Sequence, residues 1–436
     1  MPVCIISATL PVRQPVSARS SALPLRIDIL TTTKQKPLAA LPFWRRAAKI
    51  VLKALSWLFN SFALAVTLLI GGLLTVSSFS DLISPTVWIV MSYLGLIFPI
   101  LLILAILWWA MLLATRRWRM SLILLAALMI CSPRIWRYSP LHLSPQEAVT
   151  GINDADGKKK TVEADTFRLM TFNTRALGDA HVRDLKEDLP VMNLVRDCGA
   201  DVVLLQEYSF SLTTGHTEQQ LRSSMKDLYP YHHVLLYSNR KDMGLAVYSK
   251  WPILKNEKID SLKTNYTNAA YYELNVRGRR IGIVNCHLAH NAISKSNRKL
   301  YNEQVSHFEK DSLKRMEDGL REIGPSFRAR AAQSATINRY LNKREDTRQP
   351  LLICGDMNDT PTSFTYRSMR GELGDAWVDA GFGPGISYKE APFWFRIDHV
   401  FHSDHFRTLD AQVVKTETKS DHYPIMVTFQ LLPEGK

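Results

Sequence analysis

Hydrophobic positions along this chain fall into two regimes. In the first third they form long runs, Ala54 to Val76, Val87 to Ala114, and Met120 to Cys131 with a continuation to about Trp136. From Thr166 onward they come as short runs of strand length separated by longer polar stretches, the rhythm of an α/β domain. The two parts are written for different solvents.

A run of about 20 apolar residues crosses the hydrocarbon core of a bilayer. The pattern therefore predicts a membrane anchor over residues 43–137, with spans near 54–76, 87–114 and 119–136. Arg45, Arg46, Lys49 and Lys53 precede the first span, and Arg116, Arg117 and Arg119 separate the second from the third. Trp108 and Trp109 lie near the end of the second, where indole rings favour the interface. The positive-inside rule puts both basic clusters in the cytoplasm; three spans then place everything after Trp136 on the extracytoplasmic side. Residues 1–42 lack the layout of a signal peptide and read as a disordered leader. Residues 138–165, with Asn153-Asp154, Asp156-Gly157 and Lys158-Lys159-Lys160, read as a linker.

The second domain covers residues 166–432, and its strands end in polar residues. Phe167 to Phe172 stops at Asn173, and Asp201 to Gln206 stops at Glu207. Between them Asp184 to Cys198 has helical spacing, with Gly199 at the position of a C-terminal glycine. Gly244 to Ser249 and Ala270 to Val276 are further strands, and the turn Arg277-Gly278-Arg279 leads into Ile281 to Cys286, which stops at His287. Ser294 to Glu345 is charged and mostly helical, broken near Gly324-Pro325, with Phe327 to Leu341 the best helix. The run Pro350 to Cys354 stops at Gly355, followed by Asp356 and Asn358. A spacing of two on extended backbone puts that carboxylate and amide on one side, and Gly355 permits a turn or the close approach of a ligand. Two last strands follow, one reaching Asp398-His399 and one beginning after Ser420-Asp421-His422.

Charge changes the picture by where it sits. The formal net charge is +14, but residues 1–165 carry 17 Lys/Arg against 7 Asp/Glu and residues 166–436 carry 37 against 33. The basic excess belongs to the anchor end and is no nucleic-acid footprint on the second domain. The five cysteines show no CxxC spacing, which argues against a zinc knuckle, and read as buried thiols, with a Cys198–Cys286 disulfide left open.

Glu207 and Asp356, with Asn173 and Asn358, make an oxygen-rich donor set that suits Mg²⁺, with Mn²⁺ as the alternative. Two histidines beside such a metal, His287 and His422, suit a phosphate ester, one contacting a phosphoryl oxygen and the other handling the proton of an attacking water. A carboxylate next to a histidine fixes its tautomer, and Asp398 is the candidate for His422. His399, His402, His405, His232 and His233 read as ordinary structural or solvated side chains.

The pieces Thr171-Phe172-Asn173, Leu204-Leu205-Gln206-Glu207, Asn285-Cys286-His287-Leu288, Gly355-Asp356-Met357-Asn358, Arg396-Ile397-Asp398-His399-Val400 and Ser420-Asp421-His422 occur in the order of the endonuclease/exonuclease/phosphatase superfamily, which the second domain resembles. The resemblance implies an α/β four-layer sandwich, two mixed β-sheets packed together with helices outside. It implies that Glu207 and Asn173 hold the metal with Asp421 on the same side, and that Asp356 orients the nucleophilic water. Asn358 and His287 then contact the phosphoryl group, and His422, oriented by Asp398, serves as base or transition-state stabiliser. One departure is that Thr174 and Arg175 follow the first Asn, where abasic-site nucleases of the superfamily often carry an acidic residue. The expected activity is a membrane-anchored, Mg²⁺-dependent phosphodiesterase or phosphatase, with a lipid head group a plausible substrate. The alternatives are a tethered nuclease on DNA or RNA and an inactive membrane-bound binding module. No protein partner is legible.

Overall fold

The computed structural model describes residues 42–144, 151–153, 159–161, 165–179, 190–210, 217–238, 241–259, 268–290, 312–344, 346–390, 394–416 and 418–433. The expected leader, apart from Pro42, lies outside them, as do residues 184–189 of the helix expected from Asp184 and 294–311 and 345 of the charged stretch. The chain forms two compact units, residues 1–62 and 63–436. In the first, the described part is the beginning of helix α1 (Phe43–Ser78), which exposes Phe43, Trp44, Trp57 and Phe59.

The second unit holds the rest of α1, then α2 (Ile89–Ala114) and α3 (Trp118–Tyr138). All three helices are long and apolar enough to cross a membrane. Leu74, Phe98, Leu101, Ala105, Leu124 and Cys131 pack between them, and Trp108 donates to Thr67 Oγ1 at 2.9 Å. The outward side chains are apolar too, including Ile100, Ile103, Leu107, Leu122, Met129 and Ile130. A helix that is apolar all round belongs in a protein core or in lipid. Between α1 and α2, Asp81 is fully buried and pairs with Arg137 of α3 at 2.9 Å.

A small hairpin, β1 (Gly151–Asn153) with β2 (Lys159–Thr161), follows. Then come β3 (Thr166–Asn173), the short α4 (Arg175–Asp179), α5 (Pro190–Asp197), β4 (Val202–Ser209) and α6 (Glu218–Met225). Next are β5 (Tyr231–Leu236), β6 (Met243–Ser249), β7 (Ile253–Lys258), β8 (Asn268–Val276), β9 (Arg279–His287) and α7 (Ser312–Asn342). The chain ends with β10 (Leu351–Asp356), α8 (Phe364–Arg370), β11 (Gly374–Asp375), α9 (Ala376–Ala380), β12 (Asp398–His402), β13 (Phe406–Val413) and β14 (Ile425–Leu431).

The strands form two six-stranded sheets, ordered β13-β14-β3-β4-β6-β5 and β11-β12-β10-β9-β8-β7. Each is mixed, because β3 runs parallel to β4 and β9 parallel to β10 while the other pairs are antiparallel. Leu169, Val247 and Phe429 of the first sheet interleave with Tyr272, Ile283, Leu352 and Val400 of the second, giving the core between the sheets. The outer face of the first is covered by Val195 of α5 and Leu221 and Met225 of α6. The outer face of the second is covered by Ile337 and Leu341 of α7 and Tyr366 of α8. The result is the four-layer α/β sandwich of two mixed sheets, preceded by three long apolar helices.

Three details differ from the sequence pattern. Helix α7 runs through Pro325 instead of breaking there. An interior proline costs about 3 kcal/mol, and the turn around it is held by Ser326 Oγ donating to His290 O and by the edge contact of Phe327 with Tyr93. Strands β1, β2, β5, β7, β11 and β13 are additional; β5 and β7 are largely half-buried or exposed and so lack long apolar runs. Cys131, Cys198, Cys286 and Cys354 are free thiols, so the open Cys198–Cys286 pairing is not formed.

The apolar helices dock onto the sandwich. Ser80 Oγ donates to Thr362 O at 2.7 Å, and Thr362 Oγ1 donates to Gly95 O at 2.9 Å. A side chain at Gly95 has no room, since its Cβ falls 2.4 Å from Ser80 Oγ. Arg137 Nη1 reaches Pro361 O at 3.3 Å, and its backbone carbonyl accepts from Arg396 Nη2 at 2.6 Å.

Candidate active site

Strand register assembles the site. On β10, Asp356 sits opposite His287 of β9 on one side and opposite Asp398 of β12 on the other. Asn173 and Glu207 come from β3 and β4 of the facing sheet, and His422 from the loop before β14. Gly355, at φ +135°, brings β10 so close to β9 that a Cβ there falls 2.0 Å from Cys286 O. The approach that demands glycine is therefore to the neighbouring strand, not to a ligand. Glu207 lies inside β4, in a register shift between Leu205 and Tyr208, with φ +49°. Asn358 is also left-handed, at φ +52°. Bulges and positive φ at non-glycine residues re-aim side chains and concentrate at functional sites.

Asn173 Nδ2 donates to Asp356 Oδ2 at 2.9 Å and to Glu207 Oε1 at 3.2 Å, tying the two sheets together at their carboxylates. His287 Nε2 lies 3.6 Å from Glu207 Oε1 and 3.7 Å from Asp356 Oδ2. Its Nδ1 is 2.9 Å from the Tyr237 hydroxyl, which accepts from the Glu207 N–H at 3.1 Å. With the phenol donating to Nδ1, Nε2 carries its proton toward the carboxylates. His422 Nδ1 is 2.8 Å from Asp398 Oδ2, while its Nε2 is 3.7 Å from Asp356 Oδ2 and 4.0 Å from Asp421 Oδ1. The His422 N–H donates to Ser420 Oγ, which donates to Asn173 O. Ser387 Oγ accepts from the N–H groups of Ile397 and Asp398, fixing the start of β12. Asn358 donates through its N–H to Asp356 Oδ1 at 2.8 Å and through Nδ2 to Leu288 O at 3.0 Å.

The structure thus brings together Asn173, Glu207, His287, Asp356, Asn358, Asp398, Asp421 and His422. Asp421 is the peripheral member, with Arg175 Nη1 at 3.7 Å. The set-aside histidines lie elsewhere: His399 is buried with Nε2 at 2.9 Å from Asp359 O, His402 meets Asp379, His232 meets Glu218, and His405 Nδ1 lies 3.1 Å from Ser403 Oγ. Sequence reasoning missed Tyr237, which directly follows β5 as Asn173, His287 and Asp356 close β3, β9 and β10, so the same signal marks it. Nothing in the sequence marks Ser387.

Burial, reinforced by the Asp398 carboxylate, pushes Asp356 up to about 7. Burial also raises Glu207, although 30% of its side chain faces solvent. For His422, burial acts to lower the value, but Asp398 and Asp356 outweigh it and hold the imidazole protonated up to about 10. Asp398 is the converse: burial acts to raise it, and the paired imidazolium keeps it below the ordinary carboxylate range. Ligand atoms of Asp356, Asp398 and His422 lie within 4.8 Å of one another, but the short Nδ1–Asp398 contact makes that group a His–Asp pair facing a second Asp. Crowded, raised carboxyls of hard-oxygen type are what a divalent cation relieves, so the residues present fit one.

Arg330 of α7 braces the loops behind His287 and Asp356, its Nε on Asp359 Oδ2 at 3.0 Å and its Nη1 on Ala289 O at 2.8 Å. Both side chains are buried. Arg330→Ala leaves Asp359 an uncompensated buried charge, and we expect it to destabilise the protein by about 3–5 kcal/mol. A chemical melt of Arg330→Ala matching wild type within 1 kcal/mol, on the scale of an exposed ion pair, contradicts this.

Residues 170–422 match the family described as Endonuclease/Exonuclease/phosphatase family, and residues 57–138 match a domain of unknown function (DUF8431). No curated protein matches the chain. Among solved structures, an endonuclease/exonuclease/phosphatase from Beutenbergia cavernae is 17% identical over 61% of this chain and 72% of its own, with a TM-score of 0.43. The human Nocturnin catalytic domain, solved with a bound sulfate anion, is 17% identical over 61% of this chain and 93% of its own, with a TM-score of 0.43. Sphingomyelinase C from Streptomyces griseocarneus is 20% identical over 60% of this chain and 99% of its own, with a TM-score of 0.40.

Proposed function

We propose that this chain, which belongs to the endonuclease/exonuclease/phosphatase family, is a membrane-anchored, divalent-metal-dependent phosphoester hydrolase. Members of the family are hydrolases of phosphoester bonds. The observation that carries the reading is the His422–Asp398 pair, at 2.8 Å, aimed at Asp356 beside the Asn173-bridged Glu207.

In this reading Glu207 and Asn173 would hold the metal, with Asp421 contributing; Mg²⁺ fits the oxygen donors and Mn²⁺ is the alternative. Such a cation, when bound, supplies Lewis-acid polarisation of a phosphoryl oxygen. The chain's own groups do the rest. Asp356, fixed by Asn173 and by the Asn358 N–H, orients the water and accepts its proton. His287 Nε2–H donates to the phosphoryl group, and so does the Asn358 amide N–H not engaged with Leu288 O. His422 presents Nε2–H to the developing charge, with Asp398 stabilising the imidazolium at Nδ1. Helices α1–α3 serve as the anchor. Arg116, Arg117 and Arg119, at the end of α2 and α3 away from Ser80, then face the cytoplasm and the sandwich lies across the membrane from them.

Metal dependence is checked on the full chain in nanodiscs. At a Mg²⁺ concentration 100 times its dissociation constant, the expected stabilisation is about 2.7 kcal/mol, read as a higher melting temperature that EDTA reverses and Glu207→Gln abolishes. Melting and phosphodiester turnover both indifferent to EDTA would sink the reading.

A further inference from the structure

We infer that a rim formed by Leu141, Leu143, Phe382 and Trp394 rests on a phospholipid bilayer, so that the site takes its phosphoester from a lipid head group. This rests on the reading of the chain as a membrane-anchored hydrolase and names its substrate class.

The four side chains are large and apolar, yet 60%, 89%, 56% and 58% exposed. Single exposed apolar residues are ordinary; here their location decides. Leu141 follows the end of α3 by three residues and pairs with Phe382 in an isolated bridge. The flanking bonds, His142 N–H to Gly381 O at 3.3 Å and Gly383 N–H to Pro140 O at 2.7 Å, fix that pair to the helix exit. Trp394 stands two residues from Arg396, whose guanidinium holds the Arg137 carbonyl in the last turn of α3. At about 3.3–3.6 Å of reach per residue, all four lie within a few residues' reach of the point where α3 ends. Trp136, 43% exposed, marks the same level, and Leu122, Met129 and Ile130 of α3 continue the apolar surface below it. The rim therefore extends the face that the helices offer to lipid.

The same segment leads into the site. The Phe395 carbonyl, next to Trp394, accepts from the Ser387 and Tyr388 N–H groups. The Tyr388 ring packs edge-on against His422 at 5.1 Å. The backbone next to Trp394 thus leads through Phe395 and Tyr388 to the His–Asp pair. A nucleic acid calls for basic side chains at such a rim, and these four positions carry none.

The test uses the full chain in phosphatidylcholine nanodiscs with Cys4 and Cys198 replaced by Ser. A fluorophore is attached through Phe382→Cys, Trp394→Cys or, on the edge strand β7, Leu254→Cys, and spin-labelled lipid is added as quencher. Quenching at 382 and 394 should be several-fold that at 254; equal quenching overturns the inference. In a second arm, hydrolysis of a head-group ester in the bilayer is compared with the same head group on a short-chain lipid below its micelle concentration. The double variant Phe382→Ser/Trp394→Ser should lower the bilayer-to-soluble rate ratio at least about tenfold, and an unchanged ratio overturns it. Wild type that cleaves the short-chain ester and ignores the bilayer overturns this inference while leaving the hydrolase reading intact. Cleavage of neither, with Mg²⁺ present, overturns this inference, and the hydrolase reading is then decided by its own Mg²⁺ and EDTA test.

Discussion

Asp398→Asn should leave the fold intact and lower phosphodiester turnover by about three to four orders of magnitude, the scale seen where a buried aspartate orients a catalytic histidine. The substitution keeps the volume, and the Ser387 bonds to the Ile397 and Asp398 backbone do not involve the side chain. What it removes is the negative charge 2.8 Å from His422 Nδ1. If the new amide turns its oxygen to Nδ1, the imidazolium loses its counter-charge. If it turns its nitrogen, the ring adopts the other tautomer and His422 can no longer be a cation at Nε2. Either way the group facing Asp356 changes state. Because the pair acts as a unit, His422→Ala should cost as much, and the double variant little more than either. Circular dichroism close to wild type, a melting temperature lowered but above the assay temperature, kcat reduced and the three losses non-additive is the expected pattern; turnover within tenfold of wild type excludes Asp398 from the mechanism. His399, one residue on, is the contrast. Burial together with the nearby Arg396 keeps its imidazole neutral, down to about 4, and its ring packs against Tyr366 and Phe401. Changing it should cost stability before it costs catalysis.

The two neighbours differ in legibility for a physical reason. A site residue at the end of an apolar run interrupts a pattern, and Asn173, Glu207, His287 and Asp356 all do so, because a strand buried on both faces must be apolar until it reaches the cleft. The sequence order of those interruptions sufficed for the family and the layered fold. Register was not legible: that Asp356 faces His287 on one side and Asp398 on the other follows from pairing between strands dozens of residues apart. Nor was the bulge that turns Glu207, since the apolar run Val202 to Leu205 reads the same with or without it. Strands β5 and β7 escaped because their partly exposed faces leave short, mixed patterns. The contact between helices and sandwich left no trace at all. Ser80 and Thr362 are 282 positions apart, Arg137 and Arg396 are 259 apart, and each residue alone is unremarkable.

That contact makes the second large prediction. A fragment beginning at residue 151 should be strongly destabilised and should lose activity even on a soluble phosphodiester, although every proposed catalytic residue is retained. Arg396 is fully buried; it keeps Asp375 at 3.1 Å but loses the Arg137 carbonyl. Thr362 loses both Ser80 and Gly95, and the Pro361 carbonyl loses Arg137. Buried hydrogen bonds to charged groups are worth about 1.5–3 kcal/mol each and neutral ones about 1, so the total is on the order of 5 kcal/mol, comparable to the whole stability of many domains. The damage falls on the site, because the loop Asp359–Thr362 directly follows Asp356 and Asn358, and Arg396 precedes Asp398 by two residues. A simple tether predicts the opposite: full activity in solution once cut free. Melting curves and soluble-substrate kinetics for the fragment, set beside the full chain in nanodiscs, separate the two. A fragment that melts within 2 °C of the full chain and matches its kcat makes the helices a leash. A fragment that aggregates or melts far lower makes them a structural part of the catalytic domain.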